Sequence, residues 1–226
     1  MNNLLSNKDF NIPYKHLLKP ADQQLLEEQS HMIDFSSKSI IFRQQTRFSD
    51  VMFIHKGLVK LYKQEREDKE HIIKLAKEGE YIGLSTIFGS ELFEYSASSV
   101  KESKICFIEF DAFMTVFRNN NTYAEMIVSE ISKEVLFLLD KLLNQVYKQL
   151  PGRIASVLLY FAESIYNSNS FEFPLTRKEL AELTGTTKES FIRTLTEFKN
   201  DKIISLNGSN VKINSMEIVK TLDRLG

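Results

Sequence analysis

Residues 175–214 read LTRKELAELTGTTKESFIRTLTEFKNDKIISLNGSNVKIN, in which two helical patterns are followed by a strand–turn–strand pattern. Thr176 and Glu179 stand three residues apart, which is the spacing of a capping box at the start of a helix. Apolar residues at helical spacing continue this first helix through Leu183. The stretch therefore predicts a helix that begins at Thr176.

A small residue and a glycine then follow at the spacing of a helix-turn-helix. Ala181 and Gly185 are four residues apart, so the small side chain lies where two helices touch and the glycine takes the tight turn. We expect the second helix to start at Thr186 or Thr187.

The second helix has one polar and one apolar face. Phe191 and Leu195 turn toward the core, whereas Glu189 and Arg193 are four residues apart and share the polar face. Arginine donates two hydrogen bonds to guanine O6 and N7, and glutamate accepts from cytosine N4. The pair is thus a candidate for reading base pairs in the major groove. The alternative is an ordinary ion pair on a solvated helix.

Neighbouring polar residues are candidates for phosphate contacts, which set the register without reading sequence. The complete predicted DNA-contacting set is Arg177, Thr187, Lys188, Glu189, Ser190 and Arg193. Downstream, residues 203–206 and 211–213 flank Asn207-Gly208-Ser209-Asn210, which is the pattern of a β-hairpin. This hairpin is predicted to be the wing of a winged helix-turn-helix.

The first half of the chain has a different pattern. Residues 20–30 (PADQQLLEEQS) indicate a short amphipathic helix with proline at its entry. Between Ser39 and Phe110, short β-branched and aromatic runs alternate with polar or glycine-bearing turns. Some of these runs carry apolar residues on both faces, which favours closure into a roll over a single open sheet.

A long helix is predicted over residues 124–150, which lack proline and glycine until the chain reaches Pro151-Gly152. Two apolar stripes run along it: Ile131, Val135, Leu138 and Leu142 form the first, and Leu139, Leu143, Val146 and Leu150 the second. Two stripes need two partners, and a second copy of the same helix in a parallel dimer is the simplest second partner. The alternative is a helix fully buried inside one large domain. Pro151-Gly152 is expected to break the helix, and a further helix is expected over residues 153–166.

These patterns predict an α+β fold with an N-terminal antiparallel, jelly-roll-like β-roll, a long dimerisation helix and a C-terminal winged helix-turn-helix. The expected domains are residues 1–115 (β-roll sensor domain with its N-terminal helix), 116–150 (long helix) and 151–226 (DNA-binding domain).

Composition narrows the class of protein. The 226 residues carry a net charge of −1, so any binding to DNA must come from a local basic face rather than from overall charge. No apolar run approaches the roughly 20 residues that cross a bilayer, and the N-terminal sequence lacks a basic region followed by an apolar stretch. We therefore expect a cytoplasmic protein without a membrane partner.

Metal and catalytic chemistry have little support in the sequence. A lone cysteine, Cys106, excludes an internal disulfide and makes an iron–sulfur cluster or structural zinc unlikely on ligand count. One histidine or cysteine suffices to ligate haem iron, but nothing singles out His55, His71 or Cys106. No nucleophile–base pair or metal cluster is recognisable, so we expect no enzyme and no metal site.

Three segments carry a resemblance to a known family: EGEYIGLSTIFG at residues 78–89, Gly152-Arg153-Ile154-Ala155, and the ExxxR arrangement of Glu189 and Arg193. In this order the chain resembles the Crp/Fnr family of bacterial transcription regulators. The resemblance implies a homodimer that binds double-stranded DNA at a two-fold operator. It also implies recruitment or blocking of RNA polymerase, with surface loops such as residues 166–170 as contacts.

The resemblance also implies an effector pocket, formed by Ile82, Gly83, Leu84, Ser85, Tyr95, Ser96, Leu138 and Leu139. Members that bind cyclic nucleotides hold the cyclic phosphate with a Glu after Ile-Gly and an Arg before Ser-Ala, but this chain has Leu84 and Tyr95 there. Without that cation the phosphate charge would stay unpaired, so we expect weak or no binding of cyclic AMP. The effector stays unidentified. The alternative function is a small-molecule sensor that acts through protein partners and keeps the winged helix only as a scaffold.

Overall fold

The computed structural model describes residues 12–66 and 69–226. Residues 1–11, which open the predicted first domain, lie outside the described part. The chain forms two compact units. The first comprises the described residues up to Lys63 together with Leu75–Val135, and the second comprises Gln64–Lys74 and Leu136–Gly226. The division falls inside the long helix, which is predicted as a separate segment over residues 116–150.

The described strands before Phe110 form two antiparallel sheets. They are β1 (Ser30–Phe35), β2 (Ile40–Phe42), β3 (Asp50–Lys56), β4 (Leu58–Arg66), β5 (Lys69–Lys77), β6 (Tyr81–Ile82), β7 (Ser96–Ser99) and β8 (Ser103–Glu109). The strand orders are β1-β8-β3-β6 and β2-β7-β4-β5. This arrangement confirms the predicted antiparallel β-roll. Strands β1, β6 and β7 lie outside the five runs on which the roll was predicted, which are residues 39–43, 51–55, 58–63, 70–76 and 104–110.

Helices cover the β1-β8-β3-β6 sheet. They are a 3₁₀ turn (Lys15–Leu17), α1 (Pro20–Glu28), α2 (Leu84–Gly89), α3 (Phe110–Asn119) and the start of α4 (Asn121–Tyr147). Phe53, Phe113 and Ile127 are fully buried in the shared core. The predicted first helix ends before Ser30, because Ser30 already pairs with Ile108 in the sheet.

The second unit contains the predicted winged helix-turn-helix. Its elements are α5 (Leu150–Leu159), a π-helical turn (Tyr160–Ile165), β9 (Ser170–Glu172), α6 (Arg177–Thr184), α7 (Lys188–Asn200), β10 (Ile204–Asn207), β11 (Asn210–Ile213) and α8 (Met216–Leu225). The three strands pair in the order β10-β11-β9.

The break after the long helix lies slightly upstream of the predicted position. Helix α4 ends at Tyr147 and α5 begins at Leu150, so Pro151 stands inside the first turn of α5. Proline is tolerated there because the first amides of a helix have no intrahelical acceptor. Gly152 serves packing, since a Cβ on it would lie 2.9 Å from the Cα of Gly226. The helix predicted over residues 153–166 is α5 followed by the π-helical turn.

Candidate nucleic-acid interface

The first helix of the helix-turn-helix, α6, starts with the predicted capping box. Its N-cap is Thr176, whose hydroxyl accepts from the Glu179 amide, while the Thr176 amide donates to Oε2 of Glu179 at 2.9 Å. Each residue thus satisfies an amide of the other that the helix itself leaves unpaired. Leu180 and Ala181 are buried on the inner side of α6. The local sequence therefore fixes where α6 begins and which face it buries.

The turn between α6 and α7 requires glycine at residue 185. Gly185 has φ +72°, and a Cβ on it would lie 3.0 Å from Nε2 of Gln145. Nη1 of Arg153 donates to the Gly185 carbonyl oxygen at 2.8 Å. The turn is therefore held by α4 and α5 as well as by its own backbone conformation. This role of Arg153 has no local sequence signal, because its partner lies 32 residues away.

The second helix, α7, presents the predicted reading face. Phe191, Leu195 and Phe198 are buried, which fixes the rotation of the helix about its axis. On the opposite side Lys188, Glu189 and Arg193 are exposed. Within the described part of the chain, neither Glu189 nor Arg193 forms an ion pair. The polar ends of both side chains are therefore free for an external partner, in contrast to the alternative of an ion pair between them.

Two hydroxyl groups lie at the N-terminus of α7. Thr187 is the N-cap and accepts from the Ser190 amide at 3.2 Å, and the hydroxyls of Thr187 and Ser190 are also 3.2 Å apart. The capping geometry leaves both side chains at the end of the helix where the backbone dipole favours an anion. Together with Lys188 they form the candidate phosphate contacts of α7.

Arg177 has a different environment from the other predicted DNA contacts. Its Nη2 donates to the carbonyl oxygen of Gly208 at 2.5 Å, and its guanidinium carbon lies 5.3 Å from the centre of the Phe173 ring. Its Nη1 is buried, and desolvation lowers the pKa of the guanidinium. The structure thus ties the start of α6 to the turn of the hairpin through Arg177.

The hairpin that Arg177 contacts is the predicted wing. Strands β10 and β11 pair antiparallel, from Ile204 with Ile213 to Asn207 with Asn210. Gly208 takes φ +58° in the turn, a conformation that glycine adopts without a steric penalty. The wing is also joined to β9, since the Phe173 amide donates to the Ser209 carbonyl oxygen.

Six of the predicted effector-pocket residues lie in the first unit. Tyr95 links the two stretches that contain them, residues 82–85 and 95–96, through hydrogen bonds. Ile82, Gly83, Leu84, Tyr95 and Ser96 are buried, while Ser85 is exposed. The Tyr95 hydroxyl accepts from the Gly83 amide at 3.1 Å. Burial raises the pKa of Tyr95, the nearby Glu134 raises it further, and hydrogen bonds to Ser85 and Gly83 oppose the shift. Tyr95 is therefore a neutral side chain whose hydroxyl already has protein partners.

The other two predicted pocket residues, Leu138 and Leu139, lie on α4 in the second unit and are 39% and 48% exposed. Of the predicted dimer-helix residues, Ile131 packs against the core of the first unit. Val135 and Leu142 are exposed instead, and they lie in a longer row of exposed apolar side chains. This row, which we call the α4 row, consists of Val128, Val135, Leu139, Leu142 and Val146, all between 48% and 66% exposed.

The α4 row has the spacing of a coiled-coil seam. Successive members are seven, four, three and four residues apart, which keeps them on one side of the helix. The opposite side carries Phe137, Lys141, Asn144 and Lys148, which are half-buried in the second unit. Within its own unit, no described residue covers any member of the α4 row.

Two further findings concern metal ligands and membrane-spanning helices. No group of three or more His, Cys, Asp or Glu side chains suited to a metal ion occurs within residues 12–66 and 69–226. Over the same ranges, no helix has both the length and the apolar character to span a bilayer. Cys106 is buried, and desolvation raises the pKa of its thiol to about 12, so it is an unreactive core residue.

Two family models match this chain. The model of a cyclic nucleotide-binding domain matches residues 32–120, and the model of a Crp-like helix-turn-helix domain matches residues 152–221. The two ranges together account for well over half of the sequence.

Characterised relatives match along nearly the whole chain. The cAMP-activated global transcriptional regulator CRP of Salmonella typhimurium is 23% identical over 203 residues, which are 86% of this chain and 96% of the relative. The CRP-like cAMP-activated global transcriptional regulator of Mycobacterium tuberculosis is 21% identical over 204 residues, which are 88% and 91%.

Solved structures share the fold. FixK2 from Bradyrhizobium japonicum gives a TM-score of 0.79 at 16% identity, covering 86% of this chain and 97% of that one. A Crp/Fnr-family putative transcriptional regulator from Eubacterium rectale gives a TM-score of 0.75 at 19% identity, covering 94% and 98%. The similarity extends over both compact units.

Proposed function

The chain belongs to the Crp/Fnr family of DNA-binding transcription regulators, and from that premise we propose that it reads a two-fold operator as a homodimer without responding to cyclic AMP. The reading face of α7 carries this proposal. Glu189 and Arg193 are exposed, free of ion pairs among the described residues, and held on a helix whose rotation is fixed by its buried side. Because the helix is fixed, binding to base edges has to order only the two side chains and not the backbone that carries them.

Replacement of Arg193 tests the reading face. Arg193→Ala removes a bidentate donor to guanine, which is worth about 1–3 kcal/mol of discrimination at that base pair. We expect binding-site selection from random DNA to lose the preference at one position of each half-site. Lys199→Ala, an exposed lysine in the last turn of α7, is the matched control and keeps the motif. A wild-type motif selected by Arg193→Ala would contradict the proposal.

The α4 row supports the homodimer. In a monomer, five apolar side chains at coiled-coil spacing would stay half exposed to water, which is unfavourable. A second copy of the helix covers them in an isologous interface. A two-fold protein requires a two-fold operator, with half-sites about one helical turn of DNA apart. We further propose the exposed turn at residues 166–170 as a contact for RNA polymerase.

Tyr95 supports the lack of a cyclic AMP response. Its neutral hydroxyl occupies the Gly83 amide and hydrogen-bonds Ser85, in a pocket where Leu84 supplies no polar group. A cyclic phosphate entering there would displace these bonds and find no cation among the predicted pocket residues, which costs several kcal/mol.

Calorimetric titration tests this second part of the proposal. We expect no binding heat for this protein at millimolar cyclic AMP. The CRP of Salmonella typhimurium, which is cAMP-activated, is the positive control under the same conditions. Saturable binding at micromolar concentration would show that the Tyr95 pocket opens for the nucleotide.

A further inference from the structure

A small, partly open cavity lies in the second unit, and none of the predicted effector-pocket residues lines it. Helices α4, α5 and α6 surround it, and its volume is about 110 Å³. The wall is mostly apolar and includes Phe137, Val157, Tyr160 and Leu183. Two cationic side chains, Lys141 and Arg153, also line it. An apolar chamber with two cations is an unusual combination, because a buried cation normally has an acidic partner.

Lys141 has no acidic partner among the described residues. Its ammonium donates to the carbonyl oxygens of Ile72 and Ile73 at 2.5 and 2.7 Å. An ammonium has three hydrogens, so one donor remains. Desolvation lowers its pKa to about 8, and the group therefore stays mostly protonated at neutral pH. A positive charge with a spare donor is left beside the cavity.

Arg153 supplies a second spare donor. Its Nη1 is used by the Gly185 carbonyl oxygen, but its Nε is buried and has no acceptor within the described part of the chain. The one carboxylate that lines the cavity, Asp140, is exposed and lies outside ion-pair distance of both cations. A negatively charged acceptor in the cavity would pair with both cations.

We propose that this cavity binds a small monocarboxylate. The carboxylate accepts from the Lys141 ammonium and lies against the Arg153 guanidinium, and its short alkyl chain packs against the apolar wall. A cavity of about 150 Å³ holds one benzene, so a volume of 110 Å³ suits a molecule of roughly four to five non-hydrogen atoms, and the open side of the cavity leaves room for one more. Butyrate has this size and chemistry.

The site is placed to affect the helix-turn-helix. Arg153 binds the Gly185 carbonyl oxygen in the turn that sets α7. A carboxylate bound to the same guanidinium competes with the Gly185 carbonyl oxygen for Arg153 and changes the orientation of its side chain. Binding in the cavity therefore affects the turn directly. This effect on DNA binding rests on the proposed function, whereas the binding of a carboxylate does not.

Titration of the full chain with sodium butyrate tests the site. Butyramide has nearly the same shape without the charge, and sodium chloride keeps the ionic strength equal. We expect butyrate to bind with an affinity about tenfold or more above that of butyramide, as charge-assisted hydrogen bonds imply. Equal affinities, or no butyrate binding, would overturn the proposal.

Variants locate the bound molecule. Lys141→Met keeps an unbranched side chain that is one atom shorter and removes the charge, and Val157→Ile fills part of the chamber without changing either cation. Both are expected to weaken butyrate binding by about tenfold, while Lys133→Met, an exposed lysine on the same helix, leaves it unchanged. If Lys141→Met fails to fold, Val157→Ile decides alone. Unaltered binding in the folded cavity variants would place butyrate elsewhere and refute the site. Operator affinity, measured separately without butyrate, tests the proposed function independently.

Discussion

Leu142, in the middle of the α4 row, provides a quantitative test of the dimer. Its side chain is 57% exposed, and full burial of a leucine is worth about 1.5–3 kcal/mol. Covering the exposed fraction therefore contributes about 1–2 kcal/mol per copy, or about 2–3 kcal/mol per symmetric dimer. Leu142→Ala keeps only the Cβ and is expected to lose about 2 kcal/mol, which weakens dimerisation roughly 30-fold.

Leu142→Glu is the stronger form of the same test. It brings two carboxylates to the seam, where neither has a cationic partner in the α4 row, so the dimer also pays for their desolvation. We expect a monomer at micromolar concentration in sedimentation equilibrium. Lys133→Ala changes an exposed residue of α4 that lies outside the α4 row. It is the matched control and stays dimeric. A Leu142→Glu protein with wild-type helicity and the wild-type dissociation constant would refute the assignment of the seam.

Two further predictions concern Arg177 and Lys141. Arg177→Met should speed hydrogen exchange of the wing amides near Gly208 and weaken operator binding without lowering the salt dependence of that binding. Lys188→Met, in contrast, should lower the slope of log affinity against log salt concentration by about one. A reduced slope for Arg177→Met would instead identify Arg177 as a phosphate contact. Lys141 has a folded pKa of about 8 against an ordinary value of 10.5, so the unfolded chain binds more protons between these values and the wild type gains stability as pH rises through that window. The free energy of unfolding of the wild type should rise relative to that of Lys141→Met by at most about 3 kcal/mol, because the two carbonyl contacts oppose the lowering of the Lys141 pKa. A difference between the two proteins that stays constant from pH 8 to 10.5 would contradict this prediction.

The helix-turn-helix could be predicted almost residue by residue, because its signals are local. The Thr176–Glu179 capping box and the turn at Gly185 each depend on residues within one or two helical turns. Helix α7 starts after Thr187, as expected, because that residue is again a local cap. The contact between Arg177 and Gly208 has no such signal, since 31 residues separate its partners.

Strand β7, which was not predicted, shows that a strand can form through its neighbours rather than through its own residue pattern. Strand β7 reads Ser-Ala-Ser-Ser, which has little strand propensity, yet all four residues are buried. It forms because β2 and β4 supply its hydrogen-bond partners on both sides. In the same way, the role of Tyr95 was hidden: the sequence indicates a missing arginine, but only the fold shows that the hydroxyl of the replacing tyrosine binds the Gly83 amide.

On α7, different residues hold the helix in place and face the solvent, and this separation affects how such a regulator can diverge in evolution. Phe191, Leu195 and Phe198 hold the helix in place, whereas Glu189 and Arg193 contribute nothing to the core and engage no neighbour among the described residues. Under the proposed function, substitutions at the two exposed positions change which promoters are recognised at almost no expense in folding free energy. After gene duplication, one copy can acquire a new set of target genes through one or two codon changes while its scaffold stays intact.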